Sequence, residues 1–151
     1  AQDRPGLKLA VSLHGTTDQK RSELVPIARV YTLDRLFEAL YYYQQRERRR
    51  ISFEYLLVRG INDGLRDAQR LVGLLQGFIC HVNLIPYNNI PRLDYARPSG
   101  KRINRFAEIL EEKGVSVTIR ASRGRGVCGA CGQLATGSRP CVDLQKSEML
   151  R

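Results

Sequence analysis

The sequence predicts an α/β protein, a partial TIM-like barrel of parallel strands followed by a Gly- and Arg-rich loop and tail. Three observations point there. Four short runs rich in Val, Ile, Leu and aromatic residues alternate with three amphipathic helical patterns. This β-α-β-α-β-α-β order builds a parallel sheet through right-handed crossovers. The polar residues that interrupt the apolar text gather where the strands end, the place where parallel βα arrays keep their chemistry.

The strands are expected over residues 7–13, 51–58, 79–85 and 115–120, each short and either apolar or alternating. After the first strand, Leu33, Leu36, Phe37 and Leu40 share one helical face behind Thr32, a candidate N-cap, with Asp34 in the first turn. Leu65, Ala68, Leu71, Val72 and Leu75 repeat the pattern between Asp63 and Gly77. Ile103, Phe106, Ala107 and Leu110 do so between the cap Ser99 and Gly114. Gly77 and Gly114 suit left-handed helix ends. A sheet of four strands leaves an edge that the chain does not obviously close. Residues 1–120 are therefore expected to form the C-terminal half of a barrel, and residues 121–151 a functional loop and a weakly ordered tail.

With 151 residues, 42% of them apolar, there is material for one modest core. No apolar run approaches the roughly 18 residues of a membrane span, so no membrane association is expected. The opening Ala1-Gln2-Asp3-Arg4-Pro5 carries neither an initiator Met nor a secretory segment. Four cysteines fit a reducing compartment better than a disulfide scaffold, which makes a cytoplasmic location the expectation. The net charge of +10 is concentrated towards the two ends, around Arg46, Arg48, Arg49 and Arg50 and around Arg120, Arg123 and Arg125. Such clusters are either a solvated basic face or a surface for a polyanion such as RNA.

The predicted strand exits carry Ser12-Leu13-His14, Asn62-Asp63, Asn88-Asn89, and Cys128 with Cys131. A CxxC pair is a redox couple, half a zinc site, one nucleophilic thiolate with its pKa lowered by neighbouring arginines, or an idle loop thiol. Only Cys141, Cys80, His14 and His81 remain as further zinc ligands, none at the usual spacing. His14 and Asn88 each have a bland reading, as a hydrogen-bonded structural imidazole and as a turn residue. Glu54, the one carboxylate inside a predicted strand, faces either the barrel interior and a ligand or the solvent. Tyr41, Tyr42 and Tyr43 are read as packing, and Cys80 as core.

Taken together, the residues resemble a known family. Leu9-Ala10-Val11-Ser12-Leu13-His14 and Arg21-Ser22-Glu23-Leu24-Val25-Pro26-Ile27 are similar to segments of the radical-SAM RNA adenine methyltransferases, the RlmN/Cfr family. So are Phe53-Glu54-Tyr55-Leu56-Leu57, Ile61-Asn62-Asp63, Val82-Asn83-Leu84-Ile85-Pro86-Tyr87-Asn88 and Ala130-Cys131-Gly132-Gln133-Leu134. The resemblance runs over roughly residues 7–135 in the family's order.

It implies a radical-SAM barrel that methylates carbon 2 of an adenosine in 23S rRNA, with tRNA as a further substrate. Ser12, Leu13, His14 and Asn88 would bind S-adenosylmethionine, and Cys131 would carry the methyl group as S-methylcysteine. The family's route uses a second S-adenosylmethionine cleaved reductively at a [4Fe-4S] cluster, with an electron donor such as flavodoxin, and a resolving cysteine. Such enzymes are expected to be monomeric. The family's C-x3-C-x2-C cluster motif and its resolving cysteine have no counterpart in these 151 residues, and Arg125-Gly126-Val127-Cys128 replaces its usual acidic residues. The implied alternatives are carbon-8 specificity, a non-catalytic RNA-binding barrel remnant, or a CxxC redox module.

Overall fold

The computed structural model describes residues 8–89 and 93–120. Four strands, β1 (Ala10–Ser12), β2 (Ile51–Leu57), β3 (Cys80–Pro86) and β4 (Ser116–Ile119), pair in sequential order, and every neighbouring pair is parallel. That order is the wall of a barrel; a doubly wound sheet would reverse direction at a switch point. The connections contain helices α1 (Asp18–Leu24), α2 (Leu33–Glu47), α3 (Leu65–Leu75) and α4 (Gly100–Glu111), with a 3-10 turn at Pro26–Arg29 before α2.

Alternation along the strands separates two faces. Ile51, Phe53, Tyr55 and Leu57 of β2 are buried, as are Val82 and Leu84 of β3, and they join Leu71 of α3 and Phe106 and Leu110 of α4 in one core. Phe37 stacks on Phe53 at 6.1 Å between ring centroids, Phe78 meets both edge-on, and Tyr55 packs against Phe106 at 5.4 Å. Each such buried side chain contributes about 1.5–3 kcal/mol. The residues of opposite parity line up by register on the other face. Ala10, Ser52, His81 and Ser116 make one row, and Ser12, Glu54, Asn83 and Thr118 the next. This second face is polar and half-exposed, which explains why the strands alternate instead of reading as continuous apolar runs.

Gly77 and Gly114 adopt φ of +84° and +76°, the left-handed ends expected of them. The region after β1 differs from the sequence reading. Helix α1 was not expected, because its only buried side chain is Arg21 and it shows no apolar stripe. Thr17 caps it, accepting from the Lys20 N–H at 3.3 Å. Thr32 occupies the N-cap position of α2 but makes no side-chain cap bond. Asp18 supplies that bond, its Oδ1 accepting from the Leu33 N–H at 2.7 Å. The expectation that all three tyrosines pack is corrected as well: Tyr41 and Tyr42 are each 61% exposed, and only Tyr43 packs against the core. The Arg46 guanidinium lies over the Tyr42 ring, 5.3 Å from its centroid. No helix among the described residues is long and apolar enough to cross a membrane.

Candidate functional site

Strand β1 ends at Ser12, exposed on the polar face beside Glu54 of β2. The Leu13 side chain is fully buried in the core. Its N–H donates to the Glu54 carbonyl at 3.0 Å, and its own carbonyl accepts from Gly15 N–H at 2.8 Å. At His14 the backbone turns into the left-handed region, φ +55°, and leaves the sheet. A non-glycine residue pays roughly 1 kcal/mol or more for that conformation. The ladder continues through the side chain, with Leu56 N–H donating to His14 Nδ1 at 3.0 Å. Since Nδ1 accepts, the ring proton resides on Nε2. Burial pushes the His14 imidazole below its ordinary pKa; the Glu54 carboxylate opposes this and Arg21 reinforces it.

Asn62 holds this corner. Fully buried, it donates from Nδ2 to the His14 carbonyl at 2.7 Å and to the Leu56 carbonyl at 2.5 Å, while its Oδ1 accepts from Val58 N–H at 2.8 Å. The Tyr55 hydroxyl donates to the Asn62 carbonyl at 3.1 Å, and burial raises the Tyr55 pKa far above the ordinary phenol value. Beneath the loop that follows His14, buried Asp67 of α3 accepts from Thr16 Oγ1 at 3.0 Å and pairs with Lys20 Nζ at 2.8 Å. Gly15 is required there, since a Cβ would lie 2.7 Å from the Arg21 backbone nitrogen.

The exit of β3 completes the mouth. Tyr87 is buried against Tyr95, with centroids 5.9 Å apart, and its hydroxyl is buried without a hydrogen-bond partner among the described residues. Asn88 is exposed, and its Oδ1 accepts from Arg97 Nη1 at 3.3 Å. Asn89 Oδ1 accepts from Arg97 N–H at 2.9 Å, and Arg59 N–H donates to the Ala96 carbonyl at 2.9 Å. Ser12, His14 and Asn88 thus sit at the C-terminal ends of the strands, as does Arg120, whose N–H donates to Leu84.

Other features lie elsewhere. The run Arg46, Arg48, Arg49 and Arg50 precedes β2, at the opposite rim of the sheet from His14. Arg50 spans that rim, its Nη2 lying 3.1 Å from His81 Nδ1 and 2.6 Å from Ser116 Oγ. Cys80 lines a cavity of about 440 Å³ at the same end, together with Phe78, Leu75 and Val115, and burial pushes its thiol pKa up. Cys128 and Cys131 lie outside the described residues, as does the whole of 121–151. Among the described residues no three of His, Cys, Asp and Glu are grouped so as to hold a metal ion.

Asn62, Glu54 and the Thr16–Lys20–Asp67 cluster are the residues that local sequence reasoning did not assign. The Asn62-Asp63 pair stood out as polar text at a strand exit and within a family-like segment, with no role attached to either residue. Nothing in the sequence links Lys20 to Asp67 across 47 positions.

No family model matches the chain. It is 48% identical over 142 residues to a probable dual-specificity RNA methyltransferase RlmN of Clostridium beijerinckii, covering 94% of this chain and 39% of that protein. It is 45% identical over 139 residues to the equivalent protein of Lysinibacillus sphaericus, covering 92% and 37% respectively. Among solved structures, a radical SAM methyltransferase from Sphaerobacter thermophilus superposes with a TM-score of 0.82 at 47% identity, over 87% of this chain and 39% of that one. A domain of pyruvate-formate lyase-activating enzyme from Bacteroides vulgatus shares the fold alone, with a TM-score of 0.60 at 16% identity, over 75% of this chain and 66% of that one. The chain spans about two-fifths of the length of the RlmN relatives it matches.

Proposed function

We propose, from the premise that this chain is homologous to the RlmN radical-SAM RNA methyltransferases, that it is the C-terminal part of an enzyme methylating carbon 2 of adenosine in RNA. Its substrate is then 23S rRNA, with tRNA as a second substrate, in the cytoplasm. The RlmN name of the relatives agrees with carbon 2 over carbon 8. Residues 1–120 are the closing half of the barrel in this reading, and 121–151 bring the methyl-carrying cysteine.

S-adenosylmethionine supplies the methyl group. The described mouth fits it: three polar residues, Ser12, His14 and Asn88, stand at strand exits on two strands that flank β2. His14 offers an Nε2–H donor, fixed in direction by the Leu56 bond. Asn88 keeps its amide N–H groups for an acceptor while its oxygen is held by Arg97, and Leu13 contributes the second lone pair of its backbone carbonyl. In this reading the share of the described strands in the chemistry is to bind and orient the cofactor. Cys131 is the thiol that takes the methyl group before transfer.

The observation that carries this reading is the His14 corner, a strained residue held by the neighbouring strand and by Asn62, at one of the positions that the resemblance assigns to S-adenosylmethionine. The test uses the full-length enzyme. Turnover with labelled S-adenosylmethionine should put label on the peptide containing Cys131, and Cys131→Ala should abolish methylation of RNA. Cys128→Ala should spare most of it. Label confined to Cys128 would refute the assignment. Asn88→Ala should weaken cofactor binding by about 1 kcal/mol or a few times that, because a polar partner is left unpaired; unchanged affinity would count against the site.

A further inference from the structure

One carboxylate on the polar face of the sheet is left over by the cofactor site. Glu54 is half-buried, in register with Ser12 on one side and Asn83 on the other. Its Oε1 accepts from Asn83 Nδ2 at 2.7 Å. Among the described residues neither Oε2 of Glu54 nor the second N–H of Asn83 has a partner. The bond also fixes the Asn83 amide, since only its nitrogen can face a carboxylate. Adjoining strands therefore present an acceptor and a donor side by side, with the Ser12 and Thr118 hydroxyls at the two ends of the row. One step towards the mouth, the same face carries Leu56 and Ile85, paired in register and partly exposed.

We infer that the Glu54–Asn83 pair reads the target adenine of the RNA through its amino edge. The inference rests on the function proposed above. Adenine presents an N6–H donor beside the N7 acceptor, the complement of a carboxylate oxygen beside an amide N–H. Guanine and hypoxanthine present an oxygen at position 6, which faces Glu54 with acceptor against acceptor. The apolar Leu56–Ile85 step gives the flat ring a surface to lie on. A grip at N6 and N7 also leaves carbon 2 free on the far side of the ring, as methylation there requires, whereas carbon 8 adjoins the gripped N7. The adenine of S-adenosylmethionine displays the same edge, so the test has to separate the two.

The experiment uses the full-length, cluster-loaded enzyme with RNA carrying adenosine or inosine at the target position. The wild-type enzyme is expected to prefer adenosine by about tenfold or more, the discrimination a two-bond base contact provides. Glu54→Gln, whose amide can turn a donor towards an oxygen, should narrow that preference several-fold. Asn83→Ala should raise the KM for RNA. Both variants should label Cys131 from S-adenosylmethionine without RNA at close to the wild-type extent, which also checks that they fold. An unchanged adenosine-to-inosine ratio in both variants would overturn the inference. So would loss of S-adenosylmethionine affinity with RNA preference intact, which would assign the pair to the cofactor's adenine. Failure of the wild-type enzyme to label Cys131 would instead remove the function on which the inference rests.

Discussion

Leu56 N–H donates to Nδ1 of His14 across 3.0 Å, so a side chain takes the place that a backbone carbonyl would fill in a parallel ladder. The bond forms because His14 leaves the sheet at positive φ, which carries its carbonyl to Asn62. Protonating Nδ1 would set two N–H groups against each other. His14 should therefore stay neutral below the pH at which an exposed imidazole titrates, about 6.5.

The pH dependence of stability follows with a definite sign. The native pKa of His14 is lowered, chiefly by burial, so the unfolded chain binds its proton first as the pH falls. The His14 contribution should be fully favourable above about pH 6.5, decline as pH drops through that value, and level off below the native pKa. Denaturation midpoints of wild type and His14→Gln across this range should converge towards acid pH. A parallel pH dependence in the two proteins would contradict the assignment.

Asn62→Ala should cost about 2–3 kcal/mol, since it strands two half-buried carbonyls and one buried N–H. The loss is readable as a lowered urea midpoint. Asn62→Asp should be worse near neutral pH, because a carboxylate would confront the His14 and Leu56 carbonyls at the positions where Nδ2 now donates.

Lys20→Met should destabilise the protein by about 2–3 kcal/mol, because it leaves the Asp67 carboxylate buried with Thr16 as its one side-chain donor among the described residues. The double variant Lys20→Met/Asp67→Leu should recover part of that loss. A double variant less stable than the single one would mean that Asp67, through its Thr16 bond, stabilises the fold even without Lys20, and would contradict the buried-charge account.

Gly15→Ala should cost about 1–3 kcal/mol as an overpacked contact, since the backbone of Arg21 cannot yield as a flexible side chain would. The strain falls next to His14, so in the proposed reading S-adenosylmethionine affinity, measured by equilibrium binding, should fall together with the thermal midpoint.

The strands and helices α2, α3 and α4 were legible because their burial is periodic. Phe53, Tyr55 and Leu57 alternate with polar neighbours, and Leu71 and Leu75 recur on a helical face. Helix α1 was not, since the side chain it buries is Arg21, whose Nη1 donates to the Tyr31 carbonyl at 2.8 Å. Capping of α2 by Asp18 crosses fifteen positions, so local reasoning settled on adjacent Thr32. The side on which Glu54 projects was open until Asn83 fixed it. Tyr41 and Tyr42 misled because apolar bulk in a helix suggests packing, whereas here it is displayed beside Arg46.

The arginines ahead of β2 and the strand exits at His14 and Asn88 stand at opposite rims of the same wall. Seven strand residues at about 3.3 Å each make that wall roughly 23 Å tall. If the proposed RNA substrate is held at both rims, it must reach over several nucleotides, and a short oligomer carrying only the reacting base forfeits any grip at the lower rim. Charge removal at Arg48 and Arg49 would then act at a distance: long transcripts would bind less tightly and with a shallower salt slope, while a minimal oligomer, once saturating, would react at its former rate.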